Sequence, residues 1–149
     1  MIGLMTISNS VTGQEVGRIV DGNPVFTVEK GPLLSSFTKS MKGQLSEDVI
    51  FVDAELVVTE DGSYIAFYDE PRTIRSAFSL EVDGNQIQAA TGGGGTTCTT
   101  TCCASSSTEC VPRNIFHGCT PCSCGDCRRS TSSGYARLEL VALPPSTNK

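Results

Sequence analysis

A chain of 149 residues is long enough for one domain that buries a sizeable core without help from cross-links. With 38% hydrophobic and 18% charged residues its composition is that of an ordinary globular domain, and no stretch approaches the ~20 apolar residues of a membrane-spanning helix. A formal net charge of -5 and 11 scattered Lys and Arg residues exclude the basic patch on which nucleic-acid binding depends.

The first residues, Met1 to Ile7, carry neither a basic segment nor a long apolar run, so no signal peptide is expected. That favours a reducing, cytoplasmic setting; disulfide-bonded cysteines would instead place the chain outside the cell or on a particle surface. Glu15 to Val20 and Pro24 to Glu29 are short β-rich runs separated by Asp21-Gly22-Asn23, which predicts a hairpin. Gly31-Pro32 then reads as a strand breaker. Leu33, Leu34, Phe37 and Met41 recur at helical spacing and predict one short amphipathic helix closed by Gly43, although Ser35, Ser36 and Thr38 are weak helix formers.

Val49 to Thr59 and Tyr64 to Tyr68 flank Asp61-Gly62 and predict a second hairpin. The next strand, Thr73 to Val82, places Ile74, Ser76, Phe78, Leu80 and Val82 on one face and Arg75, Ser79 and Glu81 on the other. It leads into a turn at Asp83-Gly84-Asn85 and the short run Gln86 to Ala90. Val-Asp-Gly-Asn thus occurs at residues 20–23 and 82–85, which reads as a common turn motif and not as a duplicated unit. Tyr135 to Leu143 predicts a last strand, ended by Pro144-Pro145. Six or seven short strands with one helix give a mainly β fold, a small antiparallel sandwich, roll or barrel forming a single domain over residues 1–149.

Between the last two strands, residues 92–134 form a long Cys-rich inserted loop. It opens on four glycines, is crowded with Ser and Thr, and has few apolar side chains beyond Val111, Ile115 and Phe116. Such a segment needs cross-links or metal to be ordered. It holds all 8 cysteines: Cys98, Cys102, Cys103, Cys110, Cys119, Cys122, Cys124 and Cys127. As metal ligands, these suit two four-thiolate zinc sites or a cluster with shared sulfurs, His117 being able to replace one thiolate; an iron–sulfur cluster uses the same ligands. As disulfides, they allow about 105 connectivities. Cys119 to Cys127 has the two Cys-x2-Cys spacings of a metal site, whereas Cys98 to Cys110 reads more like disulfide partners.

Two narrower resemblances arise within the segment. Cys119-Thr-Pro-Cys-Ser-Cys124 resembles the Cys-Thr-Leu-Cys-Ser-Cys hexapeptide of nitrile hydratase α subunits, with Pro121 in place of Leu. The resemblance implies iron or cobalt bound by the sulfurs of Cys119, Cys122 and Cys124 and the backbone nitrogens of Ser123 and Cys124. Gly92 to Gly95 followed by Thr-Thr-Cys-Thr-Thr-Thr-Cys-Cys resembles the leader–core junction of ribosomal peptide precursors, which implies thioether rings between dehydrated Ser or Thr and Cys.

Elsewhere the candidates for chemistry are few. His117, the only histidine, can act as a base beside Cys119, but a thiol among seven others reads first as a ligand or a bridge. Glu60-Asp61 and Asp69-Glu70 read as exposed turn carboxylates, Arg128-Arg129 as a solvated loop end, and Asp53, Glu55, Arg137 and Glu139 as cross-strand partners. No serine triad, phosphate loop or hydrolytic carboxylate pair is present. The expectation is a non-enzymatic structural or interaction module, a subunit of a homo- or hetero-oligomeric assembly with protein partners. The rival readings are a metal or redox protein whose cysteine loop is the active part, and the peptide precursor.

Overall fold

The two Val-Asp-Gly-Asn turns fold in different registers. In the computed structural model, which describes residues 14–42, 45, 48–89, 96–113, 116–131 and 138–143, β1 (Gln14–Val20) and β2 (Asn23–Phe26) pair Val20 with Asn23. Asp21 and Gly22 fill that loop, both at positive φ (53° and 82°), as hairpins with two-residue loops favour. β5 (Arg75–Asp83) and β6 (Gln86–Ala89) pair Asp83 with Gln86, so the loop is Gly84-Asn85 and only Gly84 has positive φ. The tetrapeptide is a turn signal used twice, one residue out of step.

Helix α1 (Lys30–Ser40) begins earlier than its apolar spacing predicts. Gly31 and Pro32 sit in its first turn, where a missing N–H leaves no helical bond unmade, so Pro32 starts the helix instead of excluding it. Its serines and threonine act as tethers. Ser36 and Ser40 donate to the carbonyls of Leu33 and Phe37. Ser36 Oγ also accepts from the Glu139 N–H, and Thr38 Oγ1 from the Phe51 N–H, at 2.8 and 3.0 Å. Gly43 lies outside the described residues.

β3 (Phe51–Val58) and β4 (Ser63–Asp69) form the expected hairpin, and β4 pairs on with β5. The far edge of β5 is then divided: Leu80–Asp83 pair with β6, whereas Arg75–Phe78 pair with β7 (Thr96–Thr100). From β6 the antiparallel wall continues through β1 to β2; from β7 it branches to β10 (Arg128–Thr131). β2 returns alongside β3 without a connecting ladder among the described residues, so the sheet is nearly closed into a barrel. Gly17 marks how tightly that seam is drawn. A Cβ there would lie 2.6 Å from the Val25 carbonyl oxygen and 2.7 Å from Leu56 Cδ1. Gly17→Ala is therefore expected to destabilise the fold by about 1–3 kcal/mol, as overpacking does. The check is a lower urea midpoint with an unchanged slope.

One apolar core fills the space between the wall and α1, with Val16, Leu33, Phe37, Phe51, Ile65, Phe67, Phe78 and Ile87 fully or almost fully buried. The predicted strand Tyr135 to Leu143 is not a strand where it is described. Residues 138–143 make one isolated bridge, Ala142 to Val28, flanked by bonds from Glu29 N–H to the Val141 carbonyl and from Leu143 N–H to the Thr27 carbonyl. Pairing stops there because β2 ends at Phe26 and α1 begins at Lys30, leaving no partner edge to extend along. Residues 135–137 lie outside the described residues. Asp53 and Glu55 meet Arg72, at 3.1 and 3.4 Å, and Asp53 also meets Lys30; Arg137, their expected partner, lies outside the described residues.

Candidate cysteine centre

β4 is apolar on both faces. Ile65 and Phe67 point into the main core, while Tyr64 and Ala66, with Ala77 of β5, point the other way. The second face has to be covered, and the Cys-rich segment covers it. Cys98, Cys110 and Val111 are buried there, with Cys119, Cys122 and Cys127 packed beside them. Among its described residues the segment carries four strands: β7 and β10, which join the main sheet, and the small hairpin β8 (Pro112–Arg113) and β9 (Phe116–Cys119). β7 forms because Thr96-Thr97-Cys98-Thr99-Thr100 is rich in β-branched side chains, all buried; Ser76 and Thr99 hydroxyls bond at 2.7 Å between β5 and β7.

The organising residue is Arg75. It lies on the face opposite Phe78, as alternation predicts, and is 1% exposed. Its guanidinium donates to the carbonyls of Ala104, Ser106, Glu109 and Cys110, so residues 104–110 wrap around one buried cation. A desolvated charge is tolerated when most of its donors are satisfied; both terminal nitrogens are, and Nε has no partner among the described residues. Cys110 closes this loop in a left-handed conformation (φ 56°). Thr120 fastens the downstream half to it: Thr120 Oγ1 accepts from the Val111 N–H and donates to the Thr108 carbonyl. The Tyr64 hydroxyl donates to the Ser107 carbonyl, and burial pushes its pKa up. At the edge of the layer, Arg113 pairs with Asp61 at 3.1 Å, and Gly62 lies so close to Pro112 that a Cβ would sit 2.6 Å from its carbonyl oxygen.

The cysteines form four pairs at disulfide distance: Cys98 with Cys119, Cys102 with Cys124, Cys103 with Cys122, and Cys110 with Cys127. Their Cα separations run from 5.5 to 6.3 Å, inside the range a bridge needs. Every pair joins one upstream cysteine to one downstream cysteine. The two halves that differ in spacing therefore work together, and neither Cys-x2-Cys closes on itself. No cysteine stands outside these four pairs.

Four of the sulfurs also converge. Those of Cys102, Cys103, Cys122 and Cys124 lie within 4.8 Å of one another, with Cys124 Sγ 3.1 Å from both Cys103 Sγ and Cys122 Sγ. Four sulfurs about 2.3 Å from one ion define a tetrahedron with edges of about 3.8 Å, so this cluster is of a size to hold a metal ion. Cys98, Cys110, Cys119 and Cys127, expected as ligands on composition, are outside it. Around the cluster, Thr100 Oγ1 lies 3.7 Å from Cys122 Sγ and accepts from the N–H groups of Cys102 and Cys103. Glu109 Oε1 lies 3.4 Å from Cys103 Sγ and accepts from the Ser123 N–H, which lowers the Glu109 pKa. Asp126 accepts from the N–H and hydroxyl of Thr101.

No family model, curated protein or solved structure matches this chain. The site must be read from its own chemistry. The nitrile-hydratase-like hexapeptide does not close around a point. Cys119 is paired with Cys98 while Cys122 and Cys124 turn to Cys103 and Cys102, and the Ser123 N–H is a hydrogen-bond donor to Glu109. His117 lies in β9, and its side chain is outside the described part of the structure. Asp69 is buried and serves its own turn, Oδ1 accepting from the N–H groups of Thr73 and Ile74 at 3.0 Å.

Proposed function

We propose that the protein is a non-enzymatic structural or interaction module, a subunit of a larger assembly, in which a disulfide-braced layer stiffens a nearly closed barrel. The observation that carries this is the pairing pattern: four sulfur pairs each tie one half of the segment to the other over the second face of β4 and β5. Closing loops of 17 to 22 residues restricts the unfolded chain, by about 3 kcal/mol for each loop taken alone. Four such bridges suit an oxidising setting, outside the cell or on a particle surface.

The surroundings support the same reading. A shallow groove among the described residues is lined by Val58, Thr59, Ser63, Leu80, Glu81 and Val82. β2 and β10 end the two paths of the sheet, and Val25, Ile50 and Val52 are exposed apolar side chains that a protein partner can cover. Alkylation and intact mass test the bridges, and light scattering tests the assembly. The expected results are no modified cysteine before reduction, 8 after it, and a particle mass that is a multiple of 15.7 kDa. Eight free thiols in unreduced protein, or a monodisperse monomer at high concentration, would overturn the proposal.

The four converging sulfurs favour a second reading, a metal-binding protein with zinc at Cys102, Cys103, Cys122 and Cys124. Elemental analysis of protein purified without chelator decides between the two: one zinc per chain with four thiols that react only after chelation supports it.

A further inference from the structure

The four sulfur pairs differ in access. Cys98 and Cys110 are fully buried beneath the layer, and each anchors one pair, whereas Cys102 and Cys124 are both exposed and are partners of each other. A reductant must reach a sulfur to open a bridge, so access orders the reaction. Cys102–Cys124 opens first. The freed Cys124 sulfur already lies 3.1 Å from Cys103 Sγ, within the neighbouring pair. As a thiolate it can attack Cys103 Sγ, forming a Cys103–Cys124 bond and releasing Cys122 as thiolate, with no net change in electrons. The reductant then opens that bond as well.

From this we infer that Cys102, Cys103, Cys122 and Cys124 form a reductively opened site for one thiophilic divalent cation of the zinc class, while Cys98–Cys119 and Cys110–Cys127 stay closed and hold the frame. The inference rests on the metal reading given above and adds its regulation. Each bridge takes two electrons and two protons and yields two thiols: a dithiol supplies both and becomes a disulfide, whereas a phosphine supplies the electrons and becomes its oxide, with water giving the protons and the oxygen. Binding of the cation by four sulfurs then releases the four thiol protons. Two neighbours suit the loaded state. The Thr100 hydroxyl can donate to Cys122 sulfur, and the Glu109 carboxylate beside Cys103 adds negative charge that bare thiolates would repel and a cation relieves. Because Arg75 and the two buried pairs hold residues 104–110 independently of these sulfurs, opening the outer bridges leaves the cradle in place.

The test uses the full chain and graded amounts of a phosphine reductant, with alkylation mapped by mass spectrometry. Zinc is then added and the complex weighed by native mass spectrometry. The expected result is alkylation of Cys102, Cys103, Cys122 and Cys124 before any other cysteine. The four-thiol form takes up one zinc per chain, and the unreduced protein none. The double variant Cys102→Ser with Cys124→Ser keeps the remaining bridges and loses zinc uptake entirely. If all four bridges open in a single step and the eight-thiol chain still binds one zinc through these four sulfurs, the switch is overturned and the metal reading stands. If the four-thiol form takes up no zinc, both are overturned.

Discussion

Replacing Phe37 with alanine is expected to destabilise the protein by about 3–5 kcal/mol. Phe37 is the one aromatic side chain that α1 sends into the barrel, and it is completely buried. Its ring stacks on Phe67, with centroids 3.8 Å apart and planes 7° from parallel, and meets Phe51 and Phe78 edge-on at 5.2 and 6.4 Å. Truncation removes the apolar burial, three aromatic contacts and the means of filling the space, because the walls are ladders that cannot collapse inward. Phe37→Leu keeps much of the volume and is expected to lose less than half as much. Thermal unfolding followed by far-UV circular dichroism checks both, with a fall in the midpoint of about 10 °C for the alanine variant.

The second large effect falls on the other layer. Arg75→Ala withdraws the donors from four carbonyls that face inward and leaves a void where the guanidinium lay. Each buried acceptor left unpaired costs about 1–3 kcal/mol, so a loss of at least about 3 kcal/mol is expected even if water enters. Arg75→Met separates packing from hydrogen bonding: it keeps the stem and removes the fork, and is expected to remain close to the alanine variant. Arg75→Lys restores only part, since an ammonium group cannot span the same fork. Oxidative refolding gives a readout particular to this layer. With residues 104–110 no longer wrapped around a cation, the yield of the native sulfur pairing is expected to fall severalfold in Arg75→Ala and little in Phe37→Leu.

The two layers were unequally legible in the residue pattern. The hairpins and the helix follow from Asp-Gly turns and from the spacing of Leu33, Phe37 and Met41, because these signals are local. The run Tyr64 to Tyr68 predicts one arm of a hairpin; its lack of alternation also fits a strand covered on both faces, a signal that the hairpin reading leaves unused. What covers the second face was hidden. Thr96 to Thr100 looks like linker by composition yet forms a strand, because a threonine hydroxyl can be satisfied between paired strands while its branched Cβ suits the pleat. Arg75 was hidden for a different reason. Alternation placed it on the face opposite Phe78, and that placement was right; only the segment folding back from residue 104 onward turns that face into an interior. Sulfur pairing between Cys98 to Cys110 and Cys119 to Cys127 depends on β7 and β10 lying side by side, which no spacing along the chain reveals.

The divided edge of β5 has a consequence for how freely this sheet can drift. A strand with one dry face can slip by two residues and still send apolar side chains inward. β5 cannot, because its two faces make opposite demands: Ile74, Phe78 and Leu80 belong with the phenylalanines, and Arg75 and Ala77 belong under the sulfurs. A slip of one residue would carry the guanidinium into the aromatic cluster and the Phe78 ring against Cys98 and Cys110. Two residues would break the match with β6 and β7 at once, since both hold the same edge. β5 thus fixes alignment for barrel and cysteine layer together, and neither can be misregistered while the other is in place.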